Sequence, residues 1–179
     1  MAEDEQIVLV NDADEVVGAG EKLDVHRRGV LHRAFSVFLF NPDGEVLLHR
    51  RATGKYHSGG LWTNTCCGHP RPGEDTCEAA GRRLFEEMGI RCELREVGAF
   101  AYSAELDSGF IENEIDHVFV GRFDGDPCAD PTEVDEWAWV GMREVRARLA
   151  GAPDQFTVWF LPAFELVDTR RTQMNEKGC

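Results

Sequence analysis

Basic residues are scarce in this chain. Its 179 residues carry 19 Lys+Arg against 33 Asp+Glu, a formal net charge of −14. So acidic a surface argues against nucleic acid and against anionic membrane as partners, since both reward clustered cations. No apolar run approaches the ~20 residues needed to cross a bilayer, and no apolar leader is apparent, so we expect no membrane partner and a cytoplasmic protein. No Cys-x-x-Cys pair and no internal repeat is present. The six cysteines, irregularly spaced with Cys66 and Cys67 adjacent, read as free thiols in a reducing compartment. What remains is a chain long enough for one domain with a sizeable core, expected over residues 1–169, and a polar tail over 170–179 expected to be disordered. A monomer or weak dimer is expected. Met1–Glu5 is expected to fray.

The informative stretch runs from Trp62 to Ile90. Cys67 and His69 stand two residues apart, so an extended segment over 61–67 would turn thiol and imidazole to one face and Cys66 to the other. After the Pro70-Arg71-Pro72-Gly73 turn, Asp75 or Thr76 can cap a helix with Cys77, Ala80, Leu84 and Met88 as its buried stripe and Gly89 as its stop. Arg82/Glu86 and Arg83/Glu87 are i,i+4 pairs, which alone describe an ordinary solvated face.

Other elements follow from the same rules. Strands are expected at Ile7–Val10, Leu31–Phe40, Glu45–Arg50, Leu94–Ser103, Asn113–Phe123 and Glu136–Val140, with a hairpin turn at Asn41–Gly44. Arg27–Gly29 reads as loop, Arg51–Gly60 as a basic Gly-rich loop, and Glu105–Phe110 as a connection. Helices are expected at Met142–Leu149 and within Asp154–Val167, the latter with Phe156, Phe160 and Phe164 as its stripe. Mixed strands flanked by helices give an α/β/α sandwich. In the strand Ile111–Ile115, Glu112 and Glu114 share one face about 7 Å apart. With three imidazoles, such carboxylates suit a divalent ion.

The spacing Gly68-x5-Glu74-x7-Arg82-Arg83-Leu84-Phe85-Glu86-Glu87-Met88-Gly89-Ile90 resembles the Nudix box, except that Arg83 stands where that pattern has a glutamate. A cation there removes a metal ligand and adds a phosphate anchor, so diphosphate hydrolysis is put in doubt. His26, His32, Thr63-Asn64-x-x-Cys67-Gly68-His69-Pro70 and Glu112-Asn113-Glu114 follow in the order found in type 1 isopentenyl-diphosphate Δ-isomerases, which the chain resembles over about residues 6–167.

That resemblance implies a Nudix-type α/β/α fold with a mixed sheet, and a 1,3-allylic proton shift between isopentenyl and dimethylallyl diphosphates in isoprenoid biosynthesis. It implies one metal (Mn²⁺, Zn²⁺ or Mg²⁺) on His26, His32, His69, Glu112 and Glu114. Glu87 would face a Mg²⁺ that also binds the substrate diphosphate. Cys67 and Glu114 would be the acid–base pair, with Tyr102 hydrogen-bonded near Glu114 and Trp159 over the isoprenoid carbons. Lys22, Arg51, Lys55 and Arg83 would anchor the diphosphate. Which of Cys67 and Glu114 donates the proton stays open. A diphosphate hydrolase and a catalytically dead binding module are the competing readings.

Overall fold

The computed structural model describes residues 5–106 and 109–176, with side chains described through Arg171. The elements are β1 (Gln6–Val10), β2 (Val16–Glu21), α1 (Lys22–Arg28), β3 (His32–Phe40), β4 (Val46–Arg51), β5 (Trp62–Thr63), β6 (Cys66–Gly68), α2 (Thr76–Met88), β7 (Leu94–Glu105), β8 (Ile111–Arg122), β9 (Val134–Val140), α3 (Met142–Gly151) and α4 (Phe160–Glu176).

The mixed sheet is organised on β3. It pairs in parallel with β8 from His32↔Glu114 to Phe40↔Arg122, and antiparallel with β1, β4 and β6. Strand β7 closes on β8 and β9 on β4. Strand alternation then sorts β3 between two layers. Phe35, Val37 and Leu39 pack against Ala79, Ala80, Leu84 and Met88 of α2. Phe38 and Phe40 pack on the other face against Phe160, Phe164 and Val167 of α4. A helix on each face of one sheet is the expected α/β/α sandwich.

Four local expectations are corrected. The 61–67 strand is broken at Asn64-Thr65, because both side chains are buried and bond backbone: Thr65 Oγ1 donates to Leu47 O at 2.7 Å and Asn64 Nδ2 to Cys66 O at 2.6 Å. Residues 22–28 form a helix, capped by the Glu21 carboxylate and stopped by Gly29 at φ 62°. Phe156 lies before α4, in extended backbone bridged to Trp62, although Phe156, Phe160 and Phe164 still stack at 4.9 and 5.7 Å. Finally, α4 continues to Glu176, through most of the expected tail, with the Arg171 guanidinium anchored 4.0 Å from the centre of the Phe40 ring. The rest of that tail, the N-terminal residues before Glu5, and 107–108 lie outside the described residues. Glu5 itself is ordered against Lys22.

Candidate active site

One cleft, at the β3/β8 end that begins with His32 and Glu114, gathers all of the sequence-predicted residues except His26, His32 and Tyr102 in its lining. Those three stand directly behind Glu112 and Glu114. Glu114 is in register with His32 on β3 and with Tyr102 on β7, so two neighbouring strands aim at its carboxylate. Tyr102 donates its hydroxyl to Glu114 Oε2 at 2.5 Å. His32 Nε2 lies 3.1 Å and His69 Nε2 2.9 Å from Glu114 Oε1.

The imidazoles are oriented from behind. His26 Nδ1 lies 2.6 Å from the Lys22 carbonyl, one turn back on α1, and His32 Nδ1 lies 2.8 Å from the Val30 carbonyl. Each Nδ1 therefore carries a hydrogen and donates, which turns Nε2 inward, where the neutral ring offers its lone pair to a cation. His26 Nε2 faces Glu112 Oε2 at 3.3 Å, and both atoms are buried without a hydrogen-bond partner, as is His69 Nδ1. A buried imidazole nitrogen facing a buried carboxylate oxygen is costly unless a proton or a metal cation lies between them. Ligand atoms of His26, His32, His69 and Glu114 all lie within 4.8 Å of one another. Glu112 joins His26 and His57 in a second such group instead. The residues present thus fit a divalent ion, with Glu112 at the edge of the cluster.

Cys67 and Cys66 diverge as alternation requires. Cys66 is fully buried among Phe35, Leu84 and Met88, whereas Cys67 lines the cleft beside Ser36, its partner on β3. Arg51 Nη1 approaches Cys67 Sγ at 3.7 Å. Burial pushes the Cys67 thiol up to about 12, helped by the negative charges of Glu87 and Asp116 and opposed by Arg51. Burial also works against the Glu114 anion, but hydrogen bonding and charge from His32, with the hydrogen bond from Tyr102, outweigh it and hold the carboxyl at about 2. At rest the pair is therefore one thiol and one carboxylate.

Trp159 is 4% exposed, and its Nε1 donates to Thr63 Oγ1 at 3.1 Å and Asn64 Oδ1 at 3.3 Å, which fixes the indole plane. The basic residues all reach the cleft, but none is idle. Lys22 pairs with Glu5 at 2.8 Å, Lys55 with Glu133, and Arg83 with Glu87 at 2.5 Å and Glu133 at 3.4 Å. Arg51 lies 5.4 Å from the centre of the Trp159 ring. Burial raises the Glu87 carboxyl although Arg83 opposes it.

Sequence reasoning missed several members. His57 and Tyr56 come from the Gly-rich loop after β4. His57 is 7% exposed, with Nε2 3.3 Å from Glu112 Oε1 and its ring edge-on to Trp159 at 6.0 Å between centres. Asp116, two residues beyond Glu114 and thus on the same face, accepts a hydrogen bond from Ser36 Oγ at 2.8 Å, and burial followed by the Glu114 charge raises it well above the usual carboxylate range. Glu133 and Glu5 complete the ion pairs. Only Asp116 had a readable signal, the continued alternation of Glu112-x-Glu114-x-Asp116.

A two-faced sandwich with a loop–helix–loop at a buried His/Glu cluster defines a class, and comparison with known proteins agrees. The profile of the NUDIX domain family matches residues 30–160, and the chain belongs to that family. A solved structure from Deinococcus radiodurans, DR0079, superposes with a TM-score of 0.68 at 23% identity, covering 83% of this chain and 90% of that one; at that distance the likeness is one of fold. Within the family the chain falls among the isopentenyl-diphosphate Delta-isomerases. The protein of Photorhabdus laumondii described as isopentenyl-diphosphate Delta-isomerase 2 is 52% identical over 157 residues, 88% of this chain and 89% of that protein. The one so described from Aromatoleum aromaticum is 46% identical over 176 residues, 98% of this chain and 93% of that protein. No helix among the described residues is long and apolar enough to cross a membrane.

Proposed function

We propose that this protein interconverts isopentenyl and dimethylallyl diphosphates by a 1,3-allylic proton shift. The observation that carries the reading is a thiol and a carboxylate on two strands, facing one cleft beneath a fixed indole, in a chain about half identical to isopentenyl-diphosphate isomerases. The reaction protonates an unactivated alkene at one carbon and removes a proton from a neighbouring one, so it needs an acid and a base reaching two carbons. Cys67 and Glu114 meet that need. They hold one proton between them at rest, and a turnover passes it through the substrate, so each group serves in both protonation states of a reversible reaction. Tyr102 steadies the Glu114 oxygen that is not shared with the imidazoles.

The tertiary cation between the two steps lies against Trp159, whose π-face stabilises positive charge by about 0.5–2 kcal/mol and offers no nucleophile to trap it. Lys22, Lys55 and Arg83 bind the diphosphate by exchanging their present carboxylate partners for phosphate oxygens, and Arg51, held over Trp159 and by the His57 carbonyl, joins them. His26, His32, His69 and Glu114, with Glu112 at the edge, would hold a divalent ion (Mn²⁺, Zn²⁺ or Mg²⁺), and Glu87 would help hold a Mg²⁺ that neutralises the diphosphate. Bound there, such ions supply positive charge that offsets the acidic cleft and keeps Glu114 ionised.

A proton NMR time course with isopentenyl diphosphate and Mg²⁺ in D₂O tests the function. Dimethylallyl diphosphate appears, deuterium enters carbon, and no phosphate is released. Unchanged substrate after Mn²⁺ is also added would sink the assignment. In the same assay Cys67→Ala is expected to lower turnover by at least about a thousandfold, within the range for loss of a general acid or base. Turnover within tenfold of the parent would remove Cys67 from the pair.

His57 supplies a further prediction. It is the contact of Glu112 Oε1, so its loss leaves a buried carboxylate oxygen unpaired and free to rotate away from the cluster. His57→Leu is expected to weaken Mn²⁺ binding by roughly 10–100-fold in a chelator-competition titration, as outer partners of ligands do. His57→Gln keeps an N–H donor and recovers most of the affinity. Equal affinity in all three proteins would make His57 a packing residue.

A further inference from the structure

The loop between β4 and β5 sends two ring side chains, Tyr56 and His57, into the lining of the candidate active-site cleft. His57 is buried against Glu112, whereas Tyr56 is half-buried and stands at the rim. The loop is shaped to hold them there. Its ends close on each other: the Arg51 N–H donates to Leu61 O and the Gly60 N–H to Arg51 O, both at 2.9 Å. Ser58, next to His57, has φ 52°, in the left-handed region that strains a residue with a Cβ. Gly59 passes so close to its own loop that a Cβ there would lie 2.8 Å from Thr53 O.

From the indole outwards, the rings follow one another edge to face. His57 meets Trp159 at 6.0 Å between centres, Tyr56 meets His57 at 4.3 Å, and Phe110 meets Tyr56 at 5.4 Å. Arg27 of α1 sets its guanidinium 5.8 Å from the centre of the Phe110 ring. Lys22, at the start of the same helix, lies 5.6 Å from the centre of the Tyr56 ring. Edge-to-face rings and cations over ring faces are attractive geometries, so each contact holds its neighbours in place. Tyr56 thereby ties the wall that carries Trp159 to α1 and to the connection between β7 and β8.

The chemistry gives that closure a consequence. A tertiary carbocation lies between the two proton transfers, and water that reaches it is a nucleophile. A lone pair of the water oxygen then forms a C–O bond at the tertiary carbon. The oxonium proton passes to the base that would otherwise take a proton from carbon. The product is 3-hydroxy-3-methylbutyl diphosphate, the sum of isopentenyl diphosphate and water, and acid and base end in the states that a normal turnover leaves. Water exclusion is thus what separates an isomerase from a hydratase at one shared cation.

We propose that Tyr56 is a product-determining residue, its ring clasped between His57 and Phe110 so that the cleft is closed to water over the cation. The proposal rests on the isomerase reading. It concerns the fate of the cation and not its formation.

The test follows isopentenyl diphosphate by proton NMR with the full chain, Mg²⁺ and Mn²⁺. Tyr56→Ala is expected to raise the share of turnover that ends in the tertiary alcohol at least about tenfold over the parent, because it admits water. Tyr56→Phe keeps the ring and is expected to keep the parent's share. The alcohol retains its diphosphate, which sets it apart from the products of allylic solvolysis. Because a share is read and not a rate, loss of folded protein alone does not move it. Phe110→Ala, one ring further out, is expected to raise the share in the same direction and serves if Tyr56→Ala does not fold. An unchanged share in the alanine variant, or an equal rise in Tyr56→Phe, would overturn the proposal and leave the isomerase reading intact. A parent that forms no dimethylallyl diphosphate would overturn both.

Discussion

Glu114→Gln is expected to abolish isomerisation, by at least about a thousandfold, while the metal-free protein stays folded, less stable than its parent at neutral pH by the charge it gives up. Two roles meet on this carboxylate. In the proposed reaction it is one member of the acid–base pair, and Oε1 is the atom nearest both His32 Nε2 and His69 Nε2. Glutamine keeps the shape and loses the charge. Without an ion, the His32 Nε2 contact with Oε1 helps hold Glu114 ionised; an amide in its place keeps a hydrogen bond to the imidazole and loses the charge assistance. Tyr102 can still donate to the amide oxygen. The fold therefore loses only the charge-assisted part of these contacts, whereas metal affinity and proton transfer lose the group they require. The isomerisation time course, a Mn²⁺ titration and thermal melting in chelator separate the effects. Unfolding at ordinary temperature would make Glu114 a structural residue, and more than a tenth of parental turnover would remove it from the chemistry.

What could be read beforehand was whatever is encoded by local pattern. The box helix announces itself through Asp75, which caps Cys77 and Glu78, and through Gly89, whose φ of 68° favours glycine. Glu112 and Glu114 could be placed on one face because β8 is regular there. The Cys66/Cys67 division followed from the same alternation. The misses have physical causes. Helix α1 spans only Lys22–Arg28, too short for a 3.6-residue period to show, and its cap is a glutamate. The strand through 61–67 is interrupted because Asn64 and Thr65 satisfy backbone groups of β3, β4 and β6, a tertiary fact. His57 lies in a Gly-rich loop without periodicity, so nothing local says that it turns in towards Glu112. The carboxylates paired with the proposed diphosphate anchors, Glu5 with Lys22 and Glu133 with Lys55 and Arg83, come from chain segments far from their partners. Convergence of the metal cluster itself needed the β3/β8 register, which sequence alone does not contain.

Below pH 6.5 the fold is expected to lose the stability that His49 contributes, and a variant at that residue isolates the effect. His49 is 1% exposed on β4, with Nδ1 3.1 Å from the Thr65 carbonyl. Burial, then the Arg51 charge, depress it to about 3. An unfolded chain takes up a proton here as pH falls through 6.5; the folded chain does not until about 3. The stability this group contributes is therefore complete above 6.5 and is lost on acidification, at up to about 1.4 kcal/mol per pH unit. His57, also depressed to about 3 by burial, has the same sign, as does Glu114 below its ordinary carboxylate range. His26, raised because Glu112 outweighs burial, acts in the opposite sense, as do Asp116 and Glu87, whose raised carboxyls favour the folded state in acid. The parent's slope is thus a sum of opposed contributions, but its difference from His49→Gln is not. Denaturant unfolding in chelator across pH 7 to 4 is expected to show the variant's stability falling less steeply, by up to about 1.4 kcal/mol per unit. It should also take up about one proton fewer on unfolding at pH 5. Parallel curves would mean that His49 accepts its proton within the fold, and that the acid response belongs to the cluster around Glu114.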